Sequence, residues 1–139
     1  MKKPIEHTTH VLMKAFIWAL YLPEYPDLAV EIPIGDRYKP DVVQLDAQAS
    51  PLFWGEAGKV SPQKIRSLVR RYPHTHFAIA KWDSALDHVA DIVGEAVSKV
   101  RRNAPFDLIS LPEDSADKFI DQQGNITITF DDIPLVRLK

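Results

Sequence analysis

The chain has 139 residues, enough for one domain with a sizeable core. Hydrophobic residues make up 45% and charged residues 26%, and a formal charge of −2 provides no global basic field to attract nucleic acid, so any such binding needs a local patch. The absence of cysteine excludes disulfides, thiolate catalysis and thiolate-held zinc, and makes the cytoplasm the expected compartment.

The first element is a helix, with Thr8 or Thr9 as its cap and an end near Leu20. Val11, Leu12, Ala15, Phe16, Ala19 and Leu20 recur at helical spacing, and Pro23 and Pro26 stop the run. The apolar stretch is too short to cross a bilayer. It carries Lys14, and no small-residue cleavage site follows, so it reads as a core helix without membrane association. A strand is predicted over residues 28–34, with Leu28, Val30, Ile32 and Ile34 on one face and Glu31 on the other. Gly35-Asp36 is a hairpin signal. Two further strands, 41–45 and 52–56, flank a break of small, turn-prone residues. Pro33 and Pro40 lack amide donors and belong at strand ends or bulges.

Ser61-Pro62 is a helix start, a capping hydroxyl followed by proline in the first turn. That helix is expected to reach Tyr72, with Ile65, Leu68, Val69 and Tyr72 facing the core and Pro73 stopping it. His76–Trp82 reads as a buried strand. Ser84 with Asp87 resembles a capping box opening the longest helix, to about Arg102. Phe106–Leu111 is the next strand. A short helix over 115–123 precedes two strands, 125–130 and 133–138, joined as a hairpin at Asp131-Asp132. No linker or repeat divides the chain, so residues 1–139 read as a single α/β domain. Its middle βαβαβ portion demands a partly parallel sheet covered by helices on both faces.

Strand alternation places Asp41, Val43 and Leu45 on one face, and Leu52, Trp54 and Glu56 on one face of the next strand. Paired in register, the two strands direct both carboxylates into one space, with Lys59 just beyond. Two acids beside a lysine make a small divalent-metal site able to act on phosphate esters. Capping and strand-end roles for Asp41 and Glu56 are the plainer alternative. Lys64, Arg66, Arg70 and Arg71 lie off the apolar stripe of their helix. They suit either a track for phosphates or a solvated face. The histidines show no HExxH spacing, although His74 and His76 share a face if their strand begins early. No GxSxG elbow or glycine-rich phosphate loop is present.

The stretches MKAFIWALY, WGEAGKVSPQKIRSL and GNITITFDD, in that order, are similar to the bacterial YaeQ proteins. Pro40-Asp41 at a strand start and Glu56 at the end of the next strand resemble the PD-(D/E)xK, or restriction-endonuclease-like, pattern. The resemblance implies a central mixed sheet flanked by helices with a C-terminal β-hairpin. It implies Mg2+ (or Mn2+) held by Asp41, Glu56 and the Ala57 carbonyl, and a lysine that orients water or offsets transition-state charge. The implied activity is phosphodiester hydrolysis of DNA or RNA. A nuclease-fold binding protein that has lost the chemistry is the alternative, and a homodimer formed through the apolar hairpin is a further one. One position departs from the pattern. Gly58 stands where the lysine belongs, and Lys59 comes one residue later, with the wrong parity for a regular strand. A bulge at Ala57-Gly58 restores it; otherwise Lys64 or Lys81 must reach in. Glu31 is a possible additional carboxylate.

Overall fold

The computed structural model describes residues 2–139, with side chains described from Thr8 onward. Three strands set its frame. β1 (Ala29–Val30) and β2 (Val42–Leu45) lead into β3 (Pro51–Ala57), which runs parallel to β4 (His76–Trp82) and β5 (Phe106–Leu111). β5 is buried along its whole length and β4 along most of it, as strands covered on both faces must be. β2 pairs antiparallel with β3, β1 with β2, and β6 (Leu135–Leu138) with β5, so the six strands lie in sequence order. The fold is α/β, a mixed sheet flanked by helices.

Two hydrophobic cores lie on either side of the sheet. α1 (Lys2–Tyr21) brings Met13, Phe16, Ile17 and Leu20 onto Phe53, Ala78, Ala80 and Ile109. α2 (Pro62–Arg71) and α3 (Asp87–Ser98) bring Ile65, Leu68, Val69 and Val93 onto Trp54, Phe77, Ile79 and Leu108. α4 (Ser115–Phe119) and the segment after it join the α1 side through Phe119, Ile128 and Ile133. α1 lies close on β3 because Gly55 has no side chain: a Cβ there would sit 2.9 Å from Ile17 Cγ2. The helix thereby spans the sheet. His10 ends near Gly58, where β3 finishes, and Tyr21 meets Asp107, where β5 begins.

Several sequence expectations need correction. α1 starts at Lys2 rather than at a Thr8 or Thr9 cap, because Pro4 falls in the first turn, where no intrahelical amide is lost. At 20 residues it is longer than α3, which has 12 and ends at Ser98. Ser84 does not cap α3. Its hydroxyl donates to the Trp82 carbonyl instead, and the helix opens at Asp87. The strand expected over 28–34 is cut to Ala29–Val30, since Glu31 takes a φ of 58° and turns the chain off the sheet.

The C-terminal hairpin is not formed. Residues 125–130 contribute only an isolated bridge, Ile120 to Ile126, and Phe130–Asp132 is a 3-10 turn. Ile128 and Ile133 are buried against the protein's own α1-side core, and β6 pairs with β5. Part of the apolar surface anticipated for a homodimer contact, Ile128 and Ile133, is therefore turned inward, while Leu135 stays exposed. No helix among the described residues is long and apolar enough to cross a membrane.

Candidate functional site

Glu56 is the second-last residue of β3, at the C-terminal ends of the parallel strands, where α/β sheets place their ligands. Strand alternation directs it to the α2 face with Trp54, and both are buried. Trp54 Nε1–H donates to Glu56 Oε2 at 2.7 Å, and Lys64 Nζ lies 3.0 Å from the same oxygen. Lys64 reaches this point because Ser61 accepts its backbone N–H, which starts α2 with Lys64 in the first turn above β3. Burial pushes the Glu56 carboxyl up. The Asp41 charge adds to the rise, and Trp54 and Lys64 oppose it.

Asp41 stands just before β2. Val42 pairs with Gly55, so continuing the register by one step sets Asp41 opposite Glu56. Its Oδ2 accepts the Ala57 N–H at 2.8 Å, and Oδ1 is 3.9 Å from His10 Nε2 on α1. The Ala57 carbonyl opens toward the same side as its N–H, as in any extended residue. Asp41 and Glu56 thus flank the Ala57 peptide, one closing it through a hydrogen bond and the other preceding it in the chain.

The expected residues divide. Asp41, Glu56, Ala57 and Lys64 are brought together at the end of β3. Lys59 is exposed and has no ion pair among the described residues. Gly58 does take a left-handed φ of 90°, as glycine at a bulge does, but the chain leaves the sheet there. Glu31 is held by Lys14, with Lys39 at 3.8 Å, and its carboxyl is pulled down by the Lys14 hydrogen bond first. Arg66 and Arg70 are exposed on α2 without ion pairs among the described residues. Arg71 is engaged by Asp36, which also accepts from the Tyr72 hydroxyl. His74 contacts Asn103 at 2.7 Å and His76 contacts Asp107, so the two histidines share no site.

The donor set suits a hard divalent cation better than zinc. Among the described residues no three His, Asp or Glu side chains are grouped to hold a metal. Mg2+ keeps most of its waters and is held by only one or two carboxylates. Asp41 Oδ1 and Glu56 Oε1 accept no hydrogen bond from a described residue, and a cation near them would offset the Asp41 charge that adds to the effect of burial on Glu56.

Two features escaped the sequence reading. Trp54-x-Glu56 is legible as a same-face pair, but its hydrogen bond depends on burial. The buried Asp107 network at the opposite end of the sheet left no local signal, since its partners Tyr21, His76 and Arg137 are remote in sequence.

Two solved structures similar to this chain are YaeQ proteins. The crystal structure of YaeQ from Pseudomonas syringae superposes with a TM-score of 0.54 at 16% identity, over 84% of this chain and 60% of that one. YaeQ from Xanthomonas axonopodis pv. citri gives 0.50 at 16% identity, over 73% of this chain and 55% of that one. The fold is YaeQ-like. The chain spans less than two thirds of either YaeQ protein's length. No protein-family model matches it, and the comparison with curated proteins finds no match.

Proposed function

We propose that this YaeQ-like chain is a metal-dependent nuclease of the PD-(D/E)xK type, hydrolysing phosphodiester bonds of DNA or RNA in the cytoplasm. The observation that carries the reading is the cluster at the end of β3. Asp41 is hydrogen-bonded to Ala57, the buried Glu56 precedes it, and Lys64 lies 3.0 Å from Glu56. Asp41, Glu56 and the Ala57 carbonyl would hold Mg2+ or Mn2+. Such an ion supplies an activated water and offsets charge developing on the phosphate. The protein's own groups do the rest. Trp54 fixes the Glu56 rotamer through its indole N–H. Lys64 provides the ammonium that the usual pattern draws from the strand itself, and so takes the role first assigned to Lys59.

The test is a cleavage assay on single- and double-stranded DNA and RNA with Mg2+ or Mn2+. Asp41→Ala should abolish cutting. Lys64→Ala should reduce it about a hundredfold, the scale of losing one charge-stabilising donor, and Lys59→Ala should leave it unchanged. Absence of cutting on every substrate would remove the enzymatic reading. One observation favours the alternative, a nuclease-fold binding protein without chemistry: Glu56 Oε2 is already occupied by both Trp54 and Lys64. That protein would bind nucleic acid and leave it intact.

A further inference from the structure

Beside the candidate site lies a surface loop, residues 35–40, that the chemistry above does not use. It is clamped in place. Asp36 accepts the Tyr38 N–H at 2.9 Å and is held by Arg71 and by the Tyr72 hydroxyl at the end of α2. These contacts bring the Asp36 carboxyl down to about 2 against the opposing effect of burial. The loop is therefore preorganised, and what it presents is Tyr38, half-buried against the α2-side core.

Three cations face this ring. Arg37 and Lys64 lie 5.0 Å from its centroid and Arg71 lies 5.9 Å away. Lys64 is the same lysine that contacts Glu56, so Tyr38 is one side chain removed from the carboxylate. Lys64 and Arg71 are matched by Glu56 and Asp36, whereas Arg37 is exposed and pairs with no carboxylate among the described residues. Its guanidinium, the one of the three without a carboxylate, can move from the ring onto a phosphate and cede its place over the ring to a base.

We infer that Tyr38 and Arg37 form a platform for single-stranded nucleic acid leading into the Asp41–Glu56 site, the ring stacking an unpaired base and Arg37 taking a flanking phosphate. The inference rests on the nuclease reading and names its substrate form. A fixed aromatic beside a cation free to take a phosphate is what single-strand binders use, because an unstacked base has a free π-face and a paired one does not. The chain's net charge of −2 is compatible with this, since the attraction is local.

The test is fluorescence anisotropy with a labelled oligothymidylate and with its duplex, in EDTA so that no metal-dependent cutting intervenes. Tyr38→Phe keeps the ring, and Tyr38→Leu keeps apolar packing without it. The wild-type chain and Tyr38→Phe should bind the single strand more tightly than the duplex, and Tyr38→Leu should bind it about tenfold or more weakly, the value of one stacked base. Arg37→Ala should flatten the salt dependence. Equal binding of strand and duplex, undiminished binding by Tyr38→Leu, or no binding to either probe would overturn the inference. Cutting in the separate cleavage assay would leave the nuclease reading standing in each case.

Discussion

The two ends of the sheet each bury a carboxylate, and they treat it in opposite ways. At the start of β5, Asp107 is fully buried and saturated. Tyr21 donates to it at 2.7 Å, His76 contacts it at 2.7 Å, and Arg137 binds both its oxygens at 2.7 and 2.8 Å. Burial alone would push its carboxyl up, but these partners bring it down to about 2. At the end of β3, Glu56 has two partners on one oxygen and a second carboxylate nearby, and its carboxyl is pushed up. One end is satisfied as folded. The other holds negative charge with spare lone pairs, which is the condition for recruiting a cation or a reacting group.

The largest expected effect breaks the satisfied end. Asp107→Ala leaves Arg137, His76 and Tyr21 without their shared acceptor and should cost about 3–5 kcal/mol, read from urea unfolding. A loss as small as that of an exposed residue would erase the contrast.

The pH dependence of stability sharpens it. Asp107 has a folded value of about 2, below its ordinary 3.8, so its contribution is complete above that ordinary value and declines as pH falls toward about 2. The amount at stake is about 2 kcal/mol, and Asp107→Asn should remove this slope from an acid titration of unfolding. Glu56 has the opposite sign. Because its carboxyl is raised, ionising it in the folded chain opposes folding, and stability falls as pH rises through 4.5 and the raised value. Glu56→Gln should therefore be at least as stable as the wild-type chain at pH 7, while losing any cleavage. Destabilisation of Glu56→Gln at neutral pH would make Glu56 a structural acid like Asp107. The smallest effect is at the cap. Ser61→Ala should cost about 1 kcal/mol and, by loosening the first turn that carries Lys64, lower cleavage more than stability.

Legibility in the sequence followed how local each cause was. β4 and β5 match their expected limits because continuous apolar runs bounded by turn residues describe buried parallel strands. Ser61-Pro62 opened α2 as expected, since capping acts within one turn. The strand expected over 125–130 was misread for a physical reason. Ile126 and Ile128 do alternate, but they pack beneath α1, and β6 occupies the β5 edge. Glu31 ended its strand through a backbone angle that its side chain does not announce. At the candidate site, strand parity allowed Asp41 and Glu56 to converge only if their strands paired in register, and the β2–β3 pairing supplies that register. Which lysine stands beside them depended on how α2 returns across β3, and that is a tertiary fact. Arg137 and Asp107, 30 residues apart, are invisible for the same reason.

In the proposed function, Asp41 and Glu56 hold a divalent cation at the open end of the sheet. Calorimetric titration with Mg2+ tests it most directly, using the wild-type chain, Asp41→Asn and Lys59→Ala side by side. One saturable site is expected in the wild-type chain, retained by Lys59→Ala and lost by Asp41→Asn. Binding that survives Asp41→Asn, or no heat in the wild-type chain, would contradict it.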